Sequence, residues 1–123
     1  MAGKSPLPDA IAPDGSEIFY LVLDAAHASL VEVRLGEGRV SRPVRHRTVE
    51  EIWYFLAGRG RVWHGGEMRD VVPGDRVVIR PGVPFQFAAD GGELRFLCFT
   101  SPPWPGDSEA EPSPEAGLGS PTV

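Results

Sequence analysis

The chain has 123 residues, 41% of them hydrophobic and 9% aromatic, and a formal net charge of −5. That length suits one domain with one core and leaves little room for a second. No apolar run approaches the ~20 residues of a membrane span, and the polar, proline-punctuated start has no signal-peptide character, so a soluble cytoplasmic protein without membrane contact is expected.

Residues 1–16 read as an N-terminal arm, either loose or hugging a sheet edge. From 17 to 100 the chain reads as short strands broken by turn residues. Candidate strands cover 18–23 and 28–35, then Gly36-Glu-Gly38 turns the chain. A strand rich in aromatic and branched residues follows at 51–56. Gly58-Arg-Gly60 leads into 61–64, Gly65-Gly66 into 68–72, Pro73-Gly74-Asp75 into 77–79, Pro81-Gly82 into 85–87, and Asp90-Gly-Gly92 into 94–99. Turns every eight to twelve residues, with no amphipathic run of helical length, predict an all-β sandwich or barrel with antiparallel connections. Residues 101–123 hold six of the thirteen prolines. With few large apolar residues this segment reads as a disordered tail, of which Pro102-Pro-Trp-Pro105 alone has the means to fold back onto the barrel.

Charge is unevenly placed. Asp107, Glu109, Glu111 and Glu115 give the tail −4 with no base, so the preceding hundred residues are near neutral. Arg39, Arg42, Arg45 and Arg47 crowd together, but an acidic chain argues against a phosphate-backbone footprint, and no nucleic-acid partner is expected. A solvated strand edge is the plain reading of the cluster; the sharper one has a guanidinium facing a ligand carboxylate or phosphate. The lone Cys98 can form neither an internal disulfide nor a cysteine-based zinc site, and reads as a buried structural residue.

Two stretches carry chemistry. In the first, His46 precedes Glu51 by five residues, and Glu51 precedes Gly58 by seven. In the second, Gly74 is followed by Arg80-Pro81-Gly82 and then Phe85. Together they resemble the two motifs of the cupin family, over roughly residues 31–99. The resemblance implies a double-stranded β-helix or jelly-roll barrel for 17–100, dimers formed by strand exchange or sheet packing, and in complete members two His, a Glu and a further His around one divalent metal. Here Val44 stands at the first His position and Phe85 at the last. Two protein ligands, His46 and Glu51, would bind iron, manganese, zinc or nickel weakly, and His64 on the following strand is a conceivable replacement. No cofactor is the expectation, with such a metal as the alternative.

Counting inward by twos from Glu51 gives Trp53 and Phe55, and from Phe85 gives Phe87. These four aromatics, with Arg47 near the mouth, form the expected ligand pocket, although barrel filling is the commoner role for such side chains. His46 and Glu51 at its mouth are a workable acid–base pair, His46 exchanging the proton and Glu51 orienting it; the plain alternative is a structural pair. The first functional reading is thus a small-molecule-binding cupin, with isomerase- or lyase-type chemistry open to it without metal. A metal-dependent dioxygenase or isomerase with an atypical ligand set is the second, and a non-enzymatic sensor or partner-binding module the third. A homodimer is expected under all three. Whether the chain is an enzyme stays open in the sequence.

Overall fold

A computed structural model describes residues 7–123; residues 1–6 of the expected arm lie outside the described residues. Among the described residues the alternation of branched or aromatic side chains with polar ones produces nine strands: β1 (Ala10–Ile11), β2 (Glu17–Val22), β3 (Ser29–Leu35), β4 (Val44–His46), β5 (Glu50–His64), β6 (Glu67–Val71), β7 (Arg76–Ile79), β8 (Phe85–Ser101) and β9 (Ala110–Pro112). A single 3₁₀ turn, Asp107–Glu109, precedes β9. All pairings are antiparallel, as short connections require.

The fold is organised by its two longest strands. β5 and β8 pair along nearly their whole length, from Glu50 opposite Ser101 to His64 opposite Phe85. The free edge of β5 takes β7 on its first half and β6 on its second. The free edge of β8 takes β3 on its second half and β4 near its start, so the remaining order runs β1-β2-β3-β8-β4-β9. Register shifts between Phe55 and Gly60 bend the long pair and curl one sheet over on itself. Gly58 sits at this bend with φ 79°, and a Cβ there would run into the Glu93 carbonyl. Gly58-Arg-Gly60 and Asp90-Gly-Gly92, expected to separate strands, are instead irregularities within continuous ones.

Between the curled layers lies an aromatic core. Trp53 stacks on Phe96 at 4.4 Å between ring centroids, and Phe85 and Phe87 meet Trp53 edge-on at 5.4 and 5.1 Å. Phe55, Leu35, Ile79 and Leu94 complete the filling. Along β5, Glu51, Trp53 and Phe55 point inward while Ile52, Tyr54 and Leu56 point out, the two-residue period expected of a strand.

Both ends of the described segment are part of the barrel. β1 pairs with β2, and the Asp9 carboxylate accepts the Tyr20 N–H, so the described part of the arm hugs the sheet edge. Residues 101–123, expected to be disordered, are ordered against the barrel. β9 pairs with β4. The Glu109 carboxylate accepts from the N–H groups of Thr48 and Val49 and from the Thr48 hydroxyl. Gln86, fully buried, donates to the carbonyls of Ser41 and Gly119 and accepts from the Leu118 N–H. The arginine cluster is spent here as well. Arg45 and Arg47 face Glu111 at 3.2 and 3.8 Å, while Arg42 and Arg39 donate to the carbonyls of Val123 and Thr122. A segment too polar to bury its own core is thus held by hydrogen bonds and ion pairs to partners far away in sequence, which composition alone does not reveal.

Candidate functional site

A cavity of about 370 Å³ opens on the inner face of β2, β3, β5 and β8, roofed by the N-terminal arm on one side and by residues 103–107 on the other. Its apolar wall includes Val31, Val33, Val44, Trp53, Phe96 and Trp104; its polar groups include Asp14, Ser16, His46, Glu51 and Thr100. The volume is at the lower end of the several hundred cubic ångströms typical of small-molecule sites.

His46 ends β4 with its side chain turned inward, 4% exposed, between Phe85 and Trp104, whose rings lie 5.0 and 5.1 Å away edge-on. Its Nδ1 is buried and has no hydrogen-bond partner, 3.9 Å from Glu51 Oε2. Glu51, 6% exposed, is fixed from both sides: Trp53 Nε1 donates to Oε1 at 2.9 Å and the Thr100 hydroxyl to Oε2 at 3.0 Å. Among buried side chains an unpartnered nitrogen is the exception, and here it belongs to a residue that lines the cavity.

Asp14 is the group that sequence reasoning missed. Burial pushes its carboxyl up from the ordinary value, against two lowering hydrogen bonds from Ser16; Glu51 adds to the rise and His46 opposes it. A carboxyl in a Pro-Asp-Gly-Ser turn reads as a solvated turn residue, and only the docking of the arm brings it inside. Cys98 also lines the cavity, and its thiol is pushed well up, first by burial and then by the Glu51 charge, so it is a wall and not a nucleophile.

The expected pocket residues divide. His46, Glu51 and Trp53 line the cavity; Phe55, Phe85 and Phe87 do not, lying behind it as core filling. Arg47 points outward to Glu111, its side chain 60% exposed. His64 is elsewhere: its Nε2 accepts the Arg80 N–H, and burial, with the Arg80 charge, lowers its pKa. It neither lines the cavity nor joins His46.

The donor set does not fit the metal that the motif resemblance implied. Val44 and Phe85 place hydrocarbon at two of the four ligand positions, and among the described residues no three His, Cys, Asp or Glu side chains gather as a ligand group.

A curled antiparallel sheet with a cavity beneath one layer defines a double-stranded β-helix protein. The chain belongs to the cupin family: the model of the Cupin domain matches residues 31–100. It is 33% identical over 99 residues to an uncharacterized protein of Methanocaldococcus jannaschii, covering 76% of this chain and 79% of that protein. Among solved structures it resembles KdgF from Halomonas sp., with TM-score 0.70 and 22% identity over 79% of this chain and 86% of that one. It also resembles the polyketide cyclase RemF from Streptomyces resistomycificus, with TM-score 0.69 and 20% identity over 91% of this chain and 78% of that one. At these identities the structural likeness establishes the fold and carries no activity across. Among the described residues no helix is long and apolar enough to cross a membrane.

Proposed function

We propose that this cupin binds a small organic molecule in the cavity and that His46 exchanges a proton with it, in chemistry of the isomerase or lyase type. One observation carries the reading: a cavity-lining histidine with a buried imidazole nitrogen that has no partner, 3.9 Å from a carboxylate held in place by two donors. The gap exceeds a hydrogen bond, as acid–base pairs often do before a ligand arrives. His46 accepts a proton from one ligand atom and returns it at another, so no oxidant is needed. The Glu51 carboxylate stabilises the imidazolium formed in between and fixes the ring's orientation. Weakly polar surroundings strengthen that attraction relative to water. That a polyketide cyclase shares this fold is consistent with an aromatic-walled cup handling an organic substrate.

The protein acts as a homodimer in this reading. Val78, Ile52, Phe99, Leu30 and Val22 are cross-strand neighbours in one row over β7, β5, β8, β3 and β2, on the face away from the cavity. Four of the five are exposed, an apolar row that a second copy would cover.

A thermal-shift screen of small organic molecules on wild-type protein and on His46→Gln tests the acid–base reading. The substitution keeps much of the side-chain volume and removes no hydrogen bond at Nδ1, so its own cost should stay within about 1.5 kcal/mol. Stabilising ligands should lose their effect on the variant. Ligands that stabilise both proteins equally, or a variant destabilised by ~3 kcal/mol or more, would make His46 a structural residue.

A further inference from the structure

The charge of the cavity wall is one-sided. Asp14, Glu51 and Asp107 contribute carboxyl groups, His46 contributes the imidazole, and among the described residues no Lys or Arg lines the space. The nearby basic residues are turned away from it: Arg45 and Arg47 face Glu111, and Arg42 and Arg39 hold the final two residues. A carboxylate or phosphate ligand would therefore meet two buried acids with no guanidinium or ammonium beside them, an arrangement costly in desolvation. The converse holds for a cation. Both hydrogen bonds that Asp14 receives from Ser16 fall on Oδ1, and among the described residues no donor reaches its other oxygen. Around these acids stand the rings of Trp53, Trp104, Tyr20 and Phe96, whose faces attract cations as well as planar apolar bodies. A second feature points to a ligand independently of the acids: the orphaned His46 Nδ1 at the same wall.

We propose that the cavity selects a compact organic cation, an amine on a planar apolar body, with the ammonium group at Asp14 and Glu51 and the body against the tryptophan rings. This assignment rests on the reading of the cavity as a ligand site and narrows its substrate class. The uncommitted oxygen of Asp14 takes one ammonium hydrogen. Glu51, with both oxygens already engaged, supplies charge without needing to move. The aromatic body then lies within reach of His46.

Three probes of one shape decide it: 2-naphthylmethylamine, 2-naphthylmethanol and 2-naphthoate, titrated calorimetrically into wild-type protein at neutral pH, with tryptophan fluorescence recorded in parallel. The amine should bind at least about tenfold more tightly than the alcohol, a difference of 1.4 kcal/mol, and the carboxylate should be the weakest of the three. In Asp14→Asn, which keeps an acceptor for Ser16, the alcohol's affinity should hold while the amine's advantage disappears. An alcohol or carboxylate that binds as tightly as the amine overturns the charge assignment and leaves the ligand site standing. No heat and no fluorescence change with any probe overturns the ligand site itself. The wild-type ranking decides even if the variant does not fold.

Discussion

The carboxyl of Asp14 carries a stability signature that can be measured apart from binding. Burial raises its pKa in the folded chain above the ordinary value of 3.8, so between those two values the folded state binds more protons than the unfolded one. Stability therefore falls as pH rises through that window, and the ionised carboxyl is a net burden at neutral pH. Asp14→Asn should be more stable than wild type at pH 7, with the difference closing as pH falls toward 3.8, in denaturant melts taken across that range. A variant less stable than wild type at every pH would show the carboxylate to be a structural anchor. At His46 and Glu51 the expectation concerns metal: with hydrocarbon at Val44 and Phe85, protein produced with iron, manganese, zinc and nickel supplied should retain far less than one metal per chain by elemental mass spectrometry. Cys98, buried with its thiol pushed up, should resist iodoacetamide at pH 8 in the folded protein and react after unfolding.

At the scale of elements, the segment after the barrel behaves as a strap that completes the cavity. Glu109 is its buckle. Burial, the largest influence on its carboxyl, acts to raise the pKa, but the bonds from Thr48 and Val49 together carry it below the ordinary 4.5. A lowered folded value means that this contribution is present above 4.5 and is lost as pH falls through the folded pKa. Glu109→Ala should cost about 1–2 kcal/mol at neutral pH and speed proteolytic nicking within 101–123. Unchanged nicking would show that Gln86 and the β4–β9 pairing hold the strap alone. The inward set on β5 was legible from its period-2 alternation, and Phe85 and Phe87 were legible as inward-facing. Which inward residues border empty space was not. That depends on where the curled layers part, and the parting is set by a bend at Gly58 and by residues 9–16 and 101–123 docked through distant partners. The same cause hid Asp14 and made Arg47 look like a ligand contact when its partner was Glu111.

For the whole molecule, one sheet layer has two faces with separate duties. The inner face of β2, β3, β5 and β8 holds the cavity and, beyond it, the aromatic filling; Phe87→Ala should cost about 3–5 kcal/mol in a melt, since no neighbour can collapse fully into the space. The outer face carries the apolar row proposed as the dimer contact. Ile52→Lys at its centre should shift the protein to monomers by light scattering, with little intrinsic change in subunit stability because the side chain is exposed. The account turns on whether a ligand reaches His46. Long-range proton–nitrogen correlation spectra resolve the imidazole nitrogens of the three histidines, His27, His46 and His64. During titration with 2-naphthylmethylamine, the account predicts a saturable shift at His46 with His27 and His64 unmoved. Saturation of binding with the His46 nitrogens unchanged would contradict it.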